Sequence, residues 1–469
     1  MTNDRVYNSR WLIEYDSDVE VRQTAAKIMR GHRISPSHAT PSTMHELQHR
    51  DGAQVIYNGQ NGHDGPHVAI YHPAFYEFCR QCTPSSLSQD RQTVRIAADL
   101  VQACVATYAD KEQRQEAIRA PLEALIQESC FEETLMEADS FIVALDGGRN
   151  VGFGAFPTLI VAVENEECNG KTDPAHRAAF IYRLFCSSQE FTAGRVLTCL
   201  PSFLMTVSGS TISIYGAIFL DGMVVTRLWS ERLAESGMPY ERKVRHVAHV
   251  LSTLNQCLIA IVADRLTALH PIMITPRLEC INSKIPALEY IYCCRPNHHH
   301  PRPLFMACAS FADGKECDVM VKITETYSRD AHILMLSYGA APPLLFCEQD
   351  PVTQRYIVIT EFISPPEDLT VRHDSERIAN FKEALRRFHD AGFVYGDLRN
   401  NNVLVDKDKL MLTDFDWAGR VGDARYPLNL NIGLSWPKGV EPDGDITREH
   451  DEEMLDRMIQ RLAISPHLD

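Results

Sequence analysis

The amino-acid sequence predicts an α+β protein of more than one domain, with an α/β region in mid-chain and a smaller strand-and-helix domain towards the C-terminus. Three observations carry this. A chain of 469 residues exceeds what one hydrophobic core usually serves. Between residues 137 and 269, apolar runs alternate with turn residues, a strand signature, and the segment closes on a long helix-like stretch. After residue 285 the pattern changes again, to strands, a helix with one apolar face, a tight polar loop and a short hairpin.

Composition narrows the classes. A hydrophobic content of 45% and a charged content of 23% fit a globular protein. The formal charge of -16 argues against a protein that coats nucleic acid, whose electrostatic footprint is basic. The opening MTNDRVYNSRWLIEYDSD has no basic start followed by an apolar run, so it does not read as a secretory signal. The most apolar stretch, CLIAIVA, is too short to span a bilayer. The expectation is an intracellular protein, cytoplasmic or nuclear, with no membrane partner. Its 14 cysteines are scattered and are expected as free thiols. Cys79 and Cys82 have metal-ligand spacing, but a single CxxC without a second pair is a weak metal signal.

Taken in order, residues 1–136 read as a mostly helical region, with SQDRQTVRIAADLVQACVATYAD as its clearest helix and polar loops such as GQNGHDGPH. In 137–269, FIVAL and TLIVAVE read as strands, AHRAAFIYRLF as a helix, and FLMTV, TISIYGAIFL and MVVTRL as an antiparallel meander turned at SGS and DG. A helix follows over residues 242–263. The proline-bearing stretch HPIMITPRLECINSKIP gives a linker at 270–284.

The segment 285–469 holds the chemistry. DVMVKITETYSRDAHILMLSYG reads as a strand bearing Lys322 and then a helix, and YIVITEF as a further strand. SERIANFKEALRRFHDAG places Ile378, Phe381, Leu385 and Phe388 on one helical face, and Gly392 ends it. Next come a polar loop, strand NVLV, turn DKDK, strand KLMLT and Asp414. Folding that hairpin brings Asp397 and Asn402 close to Asp414. Two carboxylates and an amide then form an oxygen-rich set suited to Mg²⁺ and attached phosphates.

YGDLRNNN, residues 395–402, resembles the catalytic loop H-R-D-L-K-P-E-N, and DFD, residues 414–416, resembles D-F-G. The segment 285–469 therefore resembles the protein-kinase superfamily, and that resemblance implies a two-lobed domain using ATP and Mg²⁺ to phosphorylate a protein hydroxyl, of serine/threonine type. It implies Asp397 as catalytic base, Arg399 steadying the transferring phosphate, and Asn402 and Asp414 as metal ligands. Lys322 then binds the α- and β-phosphates, with Asp330 preferred to Glu325 as its acidic partner. Residues 360–363, Glu361 among them, would receive the adenine edge.

Two departures stand out. No G-x-G-x-x-G precedes Lys322; the loop CRPNHHHPRP, with His298, His299 and His300, takes its place and reads as solvated rather than as a phosphate or metal site. Gly396 stands where many kinases have an arginine that reads a phosphate on the activation loop, so regulation by that route is not expected. GDLRNNNVLV, DFDWAGRVGDARYPLNLN, WPKGVEP and EHDEEML resemble the fungal-type protein kinases and the kinase domains of Crinkler-type proteins. In that resemblance Asp451 is the buried acid that braces the catalytic loop.

In Crinkler-type proteins a restriction-endonuclease-like segment precedes the kinase, with an acid on one strand and E-x-K on the next. Asp146 and VAVENEE, with Glu164 and Glu166, look like a remnant of it. Neither register supplies the lysine, which implies an inactive scaffold. The competing readings are a pseudokinase that serves as an interaction module and a nuclease acting through 137–269.

Overall fold

The structure, a computed structural model, describes residues 18–49, 55–59, 63–82, 89–126, 130–132, 140–144, 156–165, 172–234, 237–268, 273–294, 303–364, 375–406 and 409–464. It is a mixed α+β protein that divides into two compact units, one over residues 16–281 and one centred on 303–469 together with 282–296. Asp146 and His298–His300 lie outside the described residues.

The first unit begins with helices α1 (Asp18–Gly31) and α2 (Pro41–Gln48), strand β1 (Ile56–Tyr57), and helices α3 (Pro73–Gln81), α4 (Arg91–Val105) and α5 (Lys111–Leu125). Strands β2 (Cys130–Glu132), β3 (Ser140–Ala144) and β4 (Leu159–Glu164) follow, then α6 (Pro174–Ser187) and α7 (Thr192–Leu197). The meander β5 (Ser202–Ser208), β6 (Thr211–Phe219) and β7 (Met223–Arg232) leads to the long helix α8 (Tyr240–Thr267). Local chemistry fixes the helix starts: Asp90, Asp110 and Asp173 each accept backbone N–H groups of the first turn, and Pro174 adds a pre-set φ to α6.

The seven strands form one sheet in the order β1-β7-β6-β5-β4-β3-β2. Pairs β1–β7 and β4–β5 are parallel and the others antiparallel. Neighbouring residues of β5 serve opposite faces. Leu204 joins Met29 of α1 and Phe180 of α6 in one core, while Phe203 meets the edges of Phe75 and Phe78 of α3 at 4.8 and 5.3 Å. The sheet thus carries helices on both sides.

Two sequence expectations change here. The boundary at 136/137 does not divide the structure: β1 pairs with β7, and α3 and α4 pack on α8, so the helical N-terminal region and 137–269 share one unit. The stretch CLIAIVA is not an isolated short run either. It lies within α8, which at 28 residues is long and apolar enough to cross a membrane by length and composition. In this unit Val244, Val247, Leu251, Leu254, Leu258 and Ile261 of α8 are buried at helical spacing, the pattern of a core helix.

The second unit opens with an antiparallel sheet. Its strands are β8 (Ala287–Cys293), β9 (Leu304–Ser310), β10 (Glu316–Thr324), β11 (Leu344–Gln349) and β12 (Tyr356–Glu361), in the order β11-β12-β10-β9-β8. Helix α9 (Arg329–Ser337) connects β10 to β11. After α10 (Ser375–Asp390) come β13 (Phe393–Val394), the hairpin β14 (Val403–Asp406) and β15 (Lys409–Leu412), β16 (Gly419–Arg420) and α11 (Arg448–Ile464). One core holds Met335 of α9, Val358 of β12, Phe381, Leu385 and Phe388 of α10, Leu412 of β15 and Met454 of α11. Each such side chain contributes on the order of 1.5–3 kcal/mol through burial.

Candidate active site

The expected hairpin is present, with Val403 opposite Leu412 and Asp406 opposite Lys409. Its pairing places the residues just before β14 beside those just after β15. The Thr413 amide donates to the Asn402 carbonyl at 2.9 Å. The loop 395–402 and the segment 413–416 are therefore held together by the strands between them.

In that loop Asp397 and Asn402 are both buried. Asn402 Nδ2 donates to Asp397 Oδ2 at 2.8 Å and to the Asp397 carbonyl at 2.9 Å. Arg399 Nη2 donates to the same Oδ2 at 2.6 Å, and its Nε lies against Oδ1 as an ion pair without hydrogen-bond geometry. Burial pushes the Asp397 carboxyl up to about 6; Arg399 works against that shift and the charge of Asp414 adds to it. Arg399 also lies over the Trp436 ring, 5.4 Å from its centroid. It is thus engaged with Asp397, where the kinase resemblance has it facing a phosphate.

Beneath the loop, Asp451 of α11 is fully buried. Its Oδ1 accepts the Gly396 amide at 2.7 Å and its Oδ2 accepts the Tyr395 amide at 2.8 Å, with His389 Nε2 3.0 Å away. Gly396 has φ of +86°, a left-handed conformation that side chains disfavour. Tyr395 Oη donates to the Thr413 carbonyl, a second tie between loop and segment.

Asp414 also has a left-handed backbone, with φ of +63°. Its Oδ1 accepts from Lys322 Nζ at 2.6 Å, and Asp416 Oδ1 accepts from the same ammonium group at 2.7 Å. Thr324 Oγ1 donates to Asp416 Oδ2 at 2.8 Å. Burial works to lower the Lys322 pKa, but the two carboxylates outweigh it and hold the amine above its usual value, hence charged. The Asp416 carboxyl is raised by burial, against the pull of Lys322. Phe415 between them is buried, stacked on His332 of α9 at 4.6 Å.

The structure therefore brings together Asp397, Arg399 and Asn402 on one side and Lys322 and Asp414 on the other. Two expected residues fall elsewhere. Asp330 is exposed on α9, whose buried polar residue is His332, and Lys322 takes Asp414 and Asp416 as partners instead. Glu325 pairs with Arg355. Glu361 has an exposed side chain, and its backbone amide is spent on the Pro343 carbonyl at 3.0 Å; the next amide, of Phe362, is spent on Asp318 at 2.9 Å. Asp416 and Thr324 were missed by the sequence reading. The one signal for Asp416 was an aspartate where the resembling motif has glycine.

In the first unit, Glu164 is buried, 2.8 Å from Arg177 and 3.1 Å from Lys111, and it accepts from Thr172 Oγ1 at 3.2 Å. Its charge is neutralised by two cations from α6 and α5. Cys79 and Cys82 are free thiols, and burial pushes the Cys82 thiol well up. Among the described residues no group of three or more His, Cys, Asp or Glu is placed to hold a metal ion.

No family model matches the chain, and no curated protein matches it. Among solved structures, the Cydia pomonella granulovirus kinase PK-1 is similar over 40% of this chain and 70% of its own, at 17% identity and a TM-score of 0.29.

Proposed function

We propose that the unit around 303–469 binds Mg·ATP and transfers its γ-phosphoryl group to a hydroxyl of a protein substrate. The observation that carries this reading is the convergence on one hairpin of Asp397 and Asn402, 2.8 Å apart, with Asp414, itself 2.6 Å from Lys322. A base, an amide, a second carboxylate and a cation are the parts phosphoryl transfer needs. In this reading Lys322 on the third strand of its sheet binds the α- and β-phosphates. Asp397 takes the proton of the acceptor hydroxyl, the acceptor oxygen bonds to the γ-phosphorus, and the bond to the β–γ bridging oxygen breaks to release ADP.

The residues present fit Mg²⁺. Asn402 spends its amide N–H groups on Asp397, which leaves its side-chain carbonyl oxygen for a cation, and Asp414 offers a partly exposed carboxylate. Both are hard oxygen donors, and Mg²⁺ characteristically completes its shell with waters and phosphates rather than with a protein cage. Charge neutralisation on the β- and γ-phosphates is what Mg²⁺ supplies when bound.

A second reading, a nucleotide-binding module without transfer, is favoured by the ion pair that places Arg399 on Asp397. One experiment separates the two: Mg-dependent transfer of γ-phosphate to the protein itself and to a generic protein acceptor, with Asp397→Ala as control. Transfer lost in Asp397→Ala supports catalysis; Mg·ATP binding with no transfer to any acceptor supports the module. Nuclease action through Glu164 is disfavoured, since a metal there would have to displace Lys111 and Arg177 from a buried carboxylate.

A further inference from the structure

Lys322 and Thr324 stand two residues apart on β10 and so share one face of the sheet. Asp416 meets both, its Oδ1 taking Lys322 Nζ at 2.7 Å and its Oδ2 taking Thr324 Oγ1 at 2.8 Å. One carboxylate is thus fixed at both oxygens and aims the ammonium group. The following helix contributes no acid here: Asp330 points to solvent, and inward-facing His332 is held between Tyr327 Oη at 2.6 Å and the Pro342 carbonyl at 2.8 Å. Asp414 also touches Lys322, but the reading above gives it to the cation, and a carboxylate facing a divalent ion has less field to spare for an ammonium group.

We infer that Asp416, steadied by Thr324, is the positioning residue that holds Lys322 for the nucleotide phosphates, in the place an acid of α9 would fill. This rests on the phosphoryl-transfer reading. Both partners of Asp416 lie on β10, so the lysine is set without an acid from α9. The device is built from a strand and the segment behind Asp414, which the β14–β15 hairpin and the bond from the Ser328 amide to the Phe415 carbonyl at 3.0 Å keep in register.

The test uses the full chain with Lys322→Ala, Asp416→Ala, their double variant, Thr324→Val, Thr324→Ser and Asp330→Ala. Asp416→Ala is expected to raise KM for ATP about tenfold, the size of one charge-assisted hydrogen bond, with a smaller change in kcat. The double variant should be no worse than Lys322→Ala alone, because the two residues act as one. Thr324→Val should give part of the loss and Thr324→Ser should restore it. A second measurement needs no nucleotide: acylation of Lys322 by an amine-reactive ester, followed by peptide mass spectrometry, should be several-fold faster in Asp416→Ala than in wild type. Additive losses in the double variant, unchanged acylation in Asp416→Ala, or faster acylation in Asp330→Ala would each overturn the inference. A wild type that neither binds nor turns over Mg·ATP removes the phosphoryl-transfer reading, and the acylation pattern still decides whether Asp416 holds Lys322.

Discussion

Gly396 lies so close to Ile446 that a Cβ on the glycine would fall 2.6 Å from the isoleucine Cδ1. The glycine is also at φ of +86°, so two independent constraints exclude a side chain. Gly396→Ala is expected to lose about 1–2 kcal/mol from the left-handed backbone alone, with more from the contact. Ile446→Ala in the same chain should return only the contact's share. Thermal or urea unfolding of the two single variants and the double reads this; an unchanged midpoint in Gly396→Ala would be the contrary result. The same position bears on regulation, since no arginine can stand there to read a phosphate. Phosphatase treatment is expected to leave the rate of transfer unchanged.

Asp414 and Asp397 should fail in different ways. Asp414→Asn removes a charge assigned to Mg²⁺, so metal-dependent nucleotide binding and turnover both fall. Asp397→Ala leaves that charge and removes the base, so turnover drops by about 10²- to 10⁴-fold while Mg·ATP binding survives. Thermal shift on nucleotide titration, run beside a transfer assay, separates the outcomes. Full activity in Asp397→Ala would remove Asp397 from the mechanism.

The pH dependence follows from the buried carboxyl. Asp397 is raised to about 6, first by burial and further by Asp414, so below that pH it holds a proton and cannot accept another. The rate should therefore be level above about pH 7 and fall roughly tenfold per unit below about pH 6. A pH profile of kcat/KM checks this, and a plateau reaching down to pH 4.5 would count against Asp397 as base.

Asp451 has the least tolerant environment of the site residues. Its two oxygens receive two loop amides and face His389, all out of solvent. Removing it in Asp451→Ala leaves those donors buried and unmatched, a loss on the order of 3–5 kcal/mol. Denaturant unfolding measures it; a change under 1 kcal/mol would mean that water replaces the carboxylate at little cost.

What was legible in the sequence was local. The spacing of Phe381, Leu385 and Phe388 gave α10, and two apolar runs about a short turn gave β14 and β15, because both patterns complete themselves within twenty residues. The proximity of Asp397, Asn402 and Asp414 followed from that hairpin. The partner of Lys322 did not follow, because the next acids along the chain are Glu325 and Asp330 while the real partners lie 92 and 94 residues away. The same limit hid the unity of residues 16–281, where β1 finds its neighbour at Met223 and Val224, far down the chain.

The end of β12 has a consequence for nucleotide choice. The amides of Glu361 and Phe362 are already given to Pro343 and Asp318, so a purine arriving there cannot use those two donors to read its ring nitrogen. Discrimination between bases is strong when a buried group is left unpaired by the wrong one, and weak when the site offers no such group. In the phosphoryl-transfer reading proposed above, with these two donors withdrawn, selectivity for adenine is expected to be weak, with GTP competing against ATP to within about tenfold. Competition of the two triphosphates in the transfer assay reads this directly, and exclusion of GTP would show that base recognition lies elsewhere along the strand's continuation.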